Sequence, residues 1–251
     1  ARYIVDHIDQ YRALVIDSIN GLVRQHEIDL LTHSVFYQIS QKTPVIIVAE
    51  EKTPRIDYIV DHIIHLWYKI NSMGHLIRYA QLEKSRIRPP GPRYILEILE
   101  GIGVIYIRYR ESIEYYEWVE EPIFGKILPK KALICLHSTS AKNLAEYLSK
   151  FENAMFVKLG PWTSFRGIAA KETFTIKSFH DMFKLRQYLS DKNVNYLIVG
   201  GTLNLKEDEI VDYIMVMGGF LKYVNFLILV SVGPEEELER LQKYCDETVV
   251  V

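Results

Sequence analysis

Five short apolar runs, each bounded by polar turn residues, set the strongest limit on what this chain can fold into. They are Arg12–Asp17 (RALVID), Pro44–Glu50 (PVIIVAE), Ala132–His137 (ALICLH), Tyr196–Val199 (YLIV) and Phe226–Val232 (FLILVSV). Val, Ile and Leu in succession, without polar alternation, mean strands buried on both faces, and such burial needs a parallel sheet with helices on each side. Helical spacing follows at Ile28–Gln41, Ala141–Phe151, Ser178–Ser190, Glu207–Leu221 and Glu235–Tyr244. The last begins after Pro234 with Glu235, Glu236, Glu237 and Glu239, acids that suit the positive end of a helix dipole. Residues 62–110 differ. His62–Ile70, His75–Arg86, Arg93–Leu99 and Val104–Arg110 are β-rich, with turn signals at Asn71–Gly74, Pro89–Pro92 and Gly101–Gly103 between them. They read as antiparallel hairpins appended to the parallel sheet. The fold class is α/β.

Composition narrows the function classes. The 251 residues are 49% hydrophobic and 25% charged with a net charge of −2, which excludes a disordered or fibrous chain. Residues 1–125 carry a net −3 and residues 126–251 a net +1, so bulk charge does not announce nucleic acid. No apolar run approaches ~18 residues, and no membrane span or secretion is expected. Cys135 and Cys245 cannot build a disulfide framework, so a reducing cytoplasm is the expected location. Charge is nonetheless uneven. His75–Arg93 holds Arg78, Lys84, Arg86, Arg88 and Arg93 against Glu83 alone, and Glu111, Glu114, Glu117, Glu120 and Glu121 follow. These are either two solvated faces or a basic phosphate-facing hairpin with an acidic linker.

The chain also repeats itself. Ala13–Leu22 (ALVIDSINGL) matches Tyr196–Leu205 (YLIVGGTLNL), placing Asp17 and Gly200 183 residues apart. Each match is followed by an amphipathic helix, an apolar strand, a short helix ending in Asp61 or Asp246, and a final strand. Asp61 and Asp246 are 185 residues apart. Four elements in one order at nearly constant offset form an internal repeat. The second member has a strand at Ala132–His137 and a helix from about Ala141 ahead of its matching strand; the first member's equivalents are expected upstream of Ala1. The chain is thus expected to begin inside a domain.

Ala13–Ser18 has the form of a Walker B strand, apolar residues ending in Asp17 at the carboxyl end of a strand, where open α/β sheets place ligands. Taken with ALVIDSINGLVR, the segments PVIIVAEE, YIVDHIIHL, HLIRYAQLEKSRIRPPG and RYILEILEGIGVIYI resemble the carboxyl-terminal half of the RecA-like core in the archaeal KaiC/RadA group of ATPases. The likeness covers about residues 1–110 and departs at His62, where that family usually has Gly. It implies a RecA-like parallel sheet with helices on both faces and an appended antiparallel hairpin region over 1–115. A second, smaller α/β unit over 116–251 would be a degenerate relative. By the resemblance, Asp17 is the Walker B acid, holding Mg through water, with Ser18 beside it as part of the ATP site. Glu50 and Glu51 fall at the strand end where such cores place a phosphate-sensing group. Lys84 and Arg86 match the hairpin pair that acts in trans on a neighbouring subunit's nucleotide, which implies a homo-oligomeric ring or filament. In such cores the P-loop strand lies between the strands corresponding to Pro44–Glu50 and His62–Tyr68, so an upstream segment is expected to supply it.

The phosphate loop itself is missing. No GxxxxGK[ST] occurs, and after ALICLH stand Ser138-Thr139-Ser140-Ala141-Lys142-Asn143, without glycine. Gly200–Gly201 occupies the second Walker B position and brings no carboxylate. His62 and His65 are three apart on a strand and face opposite sides, so no metal site is expected from them. Trp67, Trp118 and Trp162 read as core or interface aromatics; Tyr106, Tyr109, Tyr115 and Tyr116 could also stack on bases. Three functions fit. The first is a KaiC-like nucleotide-operated regulator, with a protein client possible. The second is a pseudo-ATPase scaffold without hydrolysis. The third is a recombinase paralogue binding DNA, disfavoured by the short Ala49–Arg55 connection but kept open by Arg24, Gln25 and His26.

Overall fold

The apolar runs become parallel strands. The computed structural model describes residues 2–22, 28–50, 54–107, 117–160, 172–202 and 205–251. Arg24, Gln25, His26, Glu51, Tyr109, Glu111, Glu114, Tyr115, Tyr116 and Trp162 lie outside the described residues. The chain forms two compact units, residues 1–65 with 82–91 and residues 66–81 with 92–251.

The first unit contains α1 (Arg2–His7), β1 (Leu14–Asp17), α2 (Ile19–Leu22), α3 (Ile28–Leu31), α4 (Tyr37–Ser40), β2 (Val45–Val48) and α5 (Pro54–Ile59). The helix expected over Ile28–Gln41 forms with one irregularity, a π-helical turn at Thr32–Phe36 between α3 and α4. Thr32 Oγ1 donates to Ile28 O at 2.7 Å, and Ser34 Oγ donates to Leu30 O. Hydroxyls that bond back four residues compete with the ladder and loosen it. β1 and β2 pair in parallel, from Leu14 opposite Val45 to Asp17 opposite Val48. Ile8, Ile16, Ile19, Ile28, Phe36 and Ile39 form the buried cluster on one face of this pair, with Ile56 of α5.

A four-stranded sheet follows in the order β3 (His62–Ile70), β4 (Leu76–Ser85), β5 (Arg93–Leu99) and β6 (Gly103–Ile107). β5 pairs antiparallel with both β4 and β6, as the hairpin signals require. In the β3–β4 turn Asn71 Oδ1 accepts from the Met73 and His75 amides, and Gly74 adopts φ +78°, a conformation that costs a side-chain-bearing residue steric strain.

The second unit continues with a small hairpin, β7 (Trp118–Glu121) and β8 (Lys126–Pro129), then β9 (Ala132–Ser138), α6 (Ala141–Leu148), β10 (Ala154–Leu159), β11 (Thr173–Ile176), α7 (His180–Ser190), β12 (Tyr196–Gly200), α8 (Glu207–Gly218), β13 (Phe226–Val232), α9 (Glu235–Gln242) and β14 (Glu247–Val250). Six parallel strands lie in the order β11-β10-β12-β13-β9-β14. Both faces are covered. Leu133, Cys135, Leu197, Val199, Leu227 and Leu229 share a core with α7 and α8. Ile134, Leu136, Ile198, Ile228 and Val230 pack with Leu144 and Leu148 of α6, and with Phe124 and Leu128 from the small hairpin. Each such side chain contributes roughly 1.5–3 kcal/mol through removal from water. In this unit the continuous Val/Ile/Leu runs have the two-sided burial their composition called for; β1 and β2 of the first unit do not, since Val15, Ile46 and Val48 are exposed there.

The repeat persists in the strand ladders. β1 and β2 pair in parallel and lead through α5 to β3; β12 and β13 pair in parallel and lead through α9 to β14. Asp17 stands opposite Val48, and Gly200 stands opposite Val230, on the equivalent rung.

Candidate functional site

The sequence-predicted residues fall into two groups within the first unit. At the carboxyl ends of β1 and β2, Ser18 Oγ donates to Glu50 Oε1 at 3.2 Å. The Glu50 amide donates to Asn20 Oδ1 at 3.0 Å. Asp17 ends β1 one residue before Ser18 and is exposed; the peptide between them is cis. β1 and β2 are parallel and in register, so their ends coincide, and this brings residues 32 apart in sequence into one polar group. An exposed carboxylate beside a hydroxyl suits a hydrated divalent cation that keeps its waters. Among the described residues there is no group of three or more His, Cys, Asp or Glu that could hold a metal ion directly.

Lys84 and Arg86 belong to the second group, at the carboxyl end of α5. Lys84 Nζ donates to Asp57 O, and Arg86 Nη2 to Ile59 O at 3.4 Å. Arg86 Nε also meets Asp61 Oδ1 at 3.1 Å, and its amide donates to Asp61 O at 3.0 Å. Cations here answer the unsatisfied carbonyls and negative dipole end of the helix. The structure therefore brings Ser18 and Glu50 together, with Asp17 preceding Ser18 in the chain, and gives Lys84 and Arg86 partners of their own.

The remaining basic residues of this stretch are also largely engaged. Arg78 meets Glu97 at 2.9 Å and Arg93 meets Asp212 at 2.6 Å, both inside the second unit. Glu117 pairs with Lys130 at 3.0 Å, and buried Glu121 accepts from Tyr196 Oη at 2.9 Å. Tyr106 is exposed and meets Tyr94 edge-on. Trp67 stacks on Tyr79 at 5.2 Å against the core, whereas Trp118 is exposed.

One polar constellation had no signal in the sequence. Asp212, on α8 and fully buried, accepts from Tyr79 Oη at 2.6 Å and Arg93 Nη2 at 2.6 Å, with Lys69 Nζ at 2.7 Å. Arg93 also lies over the Tyr79 ring at 4.8 Å. Burial, with the bond to Asp212, pushes the Tyr79 phenol well above its ordinary range. Beside it, Asn71 Nδ2 donates to Tyr213 Oη at 2.8 Å, and His75 bonds the same hydroxyl. Burial lowers the His75 imidazole, against a smaller opposing pull from Asp181. Glu209 accepts from the Ser72 amide at 2.8 Å, from the Ser72 hydroxyl, and from the Lys206 amide at 2.9 Å. Burial alone would raise the Glu209 carboxyl; these bonds, with Lys69, hold it below the usual range. The network ties the β3–β4 turn to α8. Its members lie far apart in sequence, so local pattern could not reveal it.

In the C-terminal repeat two serine hydroxyls after β9 accept from nearby amides of the same loop and helix. Ser138 Oγ accepts from the Ser140 amide at 3.2 Å, and Ser140 Oγ accepts from the Asn143 amide at 3.4 Å as the cap of α6. The rung equivalent to that of Asp17 is held by Gly200, without a carboxylate. In comparisons with known proteins, no family model and no curated protein matches this chain.

Proposed function

We propose that this chain is a KaiC-like, RecA-superfamily regulatory module operated by nucleotide. In this reading it assembles with copies of itself and holds ATP and Mg at the subunit interface, with the phosphate loop supplied by a segment outside residues 1–251. The observation that supports it is the Asp17, Ser18 and Glu50 group at the carboxyl ends of two adjacent parallel strands, the edge where open α/β sheets bind ligands. The residues present suit the cation: Asp17 would orient its water shell, and Ser18 and Glu50 would fix that carboxylate's surroundings. Lys84 and Arg86 are the cations proposed to serve a neighbour's nucleotide, for which they must exchange their present partners.

The test is Mg-dependent ATP binding by the polypeptide encoded by the complete gene, measured by titration calorimetry. Asp17→Asn is expected to weaken binding at least about tenfold in Mg and little in its absence. Equal binding by both forms would refute the assignment. A scaffold without hydrolysis is the second reading, favoured by Gly200 and the locally bonded Ser138 and Ser140 hydroxyls; no ATP binding by the complete polypeptide would select it.

A further inference from the structure

The two copies of the repeat differ in how their strand edges are paired and in how one face is covered. In the C-terminal copy β13 pairs with β9, and β14 pairs with the other edge of β9. In the N-terminal copy β2 pairs with β1 and with no other strand among the described residues, and β3 is likewise the end strand of its sheet. Backbone direction identifies the open groups. Pro44 O accepts from the Leu14 amide, so the next residue, Val45, and also Ile47 turn their N–H and C=O groups away from β1. In the other copy Asn225 O accepts from the Lys131 amide, so Leu227 and Leu229 turn toward β9. Val45 and Ile47 are the counterparts of Leu227 and Leu229, 182 residues away.

The side chains show the same loss. Val15, Ile46, Val48 and Ile64 are 59%, 54%, 40% and 67% exposed. By the repeat offsets they correspond to Ile198, Ile228, Val230 and Val249, which are all at most 8% exposed and lie in a single cluster. That cluster is the one α6 covers with Leu144 and Leu148. The opposite face has no such deficit: Ile16 is buried, and Leu14, Val45 and Ile47 pack against its cluster, like their counterparts Leu197, Val199, Leu227 and Leu229. Thus, among the described residues, the N-terminal copy lacks a partner for the outer edge of β2 and the cover of one face, and its β1 also lacks the outer-edge partner that β10 gives β12. In the C-terminal copy β9 supplies the first and α6 helps supply the second, within the single stretch Ala132–Leu148.

We infer that the outer edge of β2 and the Val15, Ile46, Val48 and Ile64 face are the docking surface for one strand–loop–helix segment of the same polypeptide. Its strand runs parallel to β2, and its helix lies across the four exposed side chains. The repeat order places it about 50 residues ahead of Ala1. An unpaired edge beside a bare apolar face is the surface that most readily recruits another strand. The inference rests on the repeat and the strand ladders, independently of nucleotide.

Hydrogen exchange resolved to single amides tests it on residues 1–251 and on the polypeptide encoded by the complete gene. Val45 and Ile47 are expected to exchange near intrinsic rates in residues 1–251 and at least about 100-fold more slowly in the complete polypeptide. Leu227 and Leu229 serve as the internal standard, slow in both. Ile46→Asp is expected to restore fast exchange in the complete polypeptide while leaving the melting temperature of residues 1–251 unchanged. Fast exchange at Val45 and Ile47 in the complete polypeptide overturns the inference, as does a gene encoding no such segment. Slow exchange in residues 1–251 also overturns it; dependence on dilution would then assign the edge to a second copy, and independence to this chain itself. Slow exchange in the complete polypeptide without ATP binding would keep the docking surface and remove the nucleotide reading.

Discussion

Replacing Asp212 by Asn should destabilise the second unit more than any exposed substitution. The Asp212 carboxylate is fully buried and receives Tyr79 Oη at 2.6 Å, Arg93 Nη2 at 2.6 Å and Lys69 Nζ at 2.7 Å. An amide removes the charge and turns one acceptor into a donor that faces donors. Removing one partner of a buried ion pair costs about 3–5 kcal/mol. Lys69 and Arg93 keep 29% and 36% of their side-chain surface in water, so they can turn outward and regain hydration. That lowers the expectation to about 2–4 kcal/mol. The Tyr79 hydroxyl has no such exit and stays against a neutral group. At ~2–4 °C per kcal/mol for a protein of this size, a loss near 3 kcal/mol lowers the melting temperature by about 6–12 °C. Urea and thermal unfolding followed by circular dichroism measure it. Tyr79→Phe alone is expected to cost about 1–2 kcal/mol, and the double variant less than the sum, because the two groups share one bond. A loss below about 1 kcal/mol for Asp212→Asn, or strict additivity in the cycle, would refute the reasoning.

Further outcomes follow from the same geometry. The Tyr79, Tyr196 and Tyr213 phenols are all raised above 10.0, chiefly by burial. The unfolded chain therefore ionises first. Stability is full below about pH 10 and falls above it by up to ~1.4 kcal/mol per pH unit for each tyrosine. Urea midpoints from pH 9 to 11.5 should decline steeply, and a flat profile would remove the burial argument. On the acid side, burial alone would raise Glu209 and Asp181, but hydrogen bonds hold both below their ordinary values. Their contribution is present above about pH 4.5 and is lost as pH falls through the lowered values, so Glu209→Gln should flatten the acid limb of the same titration. The Cys245 thiol is pushed up by its bond to Cys135 and by burial; alkylation at pH 8 should proceed only on unfolding, and rapid labelling of folded protein would contradict this. Arg86 and Asp61 are both exposed, so Arg86→Ala should change stability by less than about 1 kcal/mol. In the complete polypeptide it is expected to abolish ATP hydrolysis and spare ATP binding; equal loss of both would exclude action in trans.

Where burial is two-sided, local sequence was enough. Phe226–Val232 could be read as a strand because seven residues with one Ser leave no polar face, and β13 has neighbours on both edges and cores on both faces. His62–Ile70 and Arg93–Leu99 were legible as hairpin strands because Asn71–Gly74 and Pro89–Pro92 mark their turns. Ala154–Leu159 was not, since Lys158 interrupts the run in β10, and neither was Thr173–Ile176, too short to show a period. Of the candidate site, the ends of β1 and β2 were foreseeable. The α5 carbonyls that engage Lys84 and Arg86 were not, because cation partners depend on where a helix terminates in space.

The sequence by itself determined the α/β class, the parallel strands and the repeated order of strand, helix, strand, short helix and strand. These follow from local periodicity and turn chemistry. Tertiary structure alone decided which edges are paired and which faces are covered. Val15 and Ile198 are indistinguishable as residues in an apolar run, yet one is 59% exposed and the other fully buried. The difference comes from a neighbouring strand and helix, β9 and α6, present in one copy of the repeat and absent from the other among the described residues. Burial is a property of partners, and partners are not encoded at the position they cover.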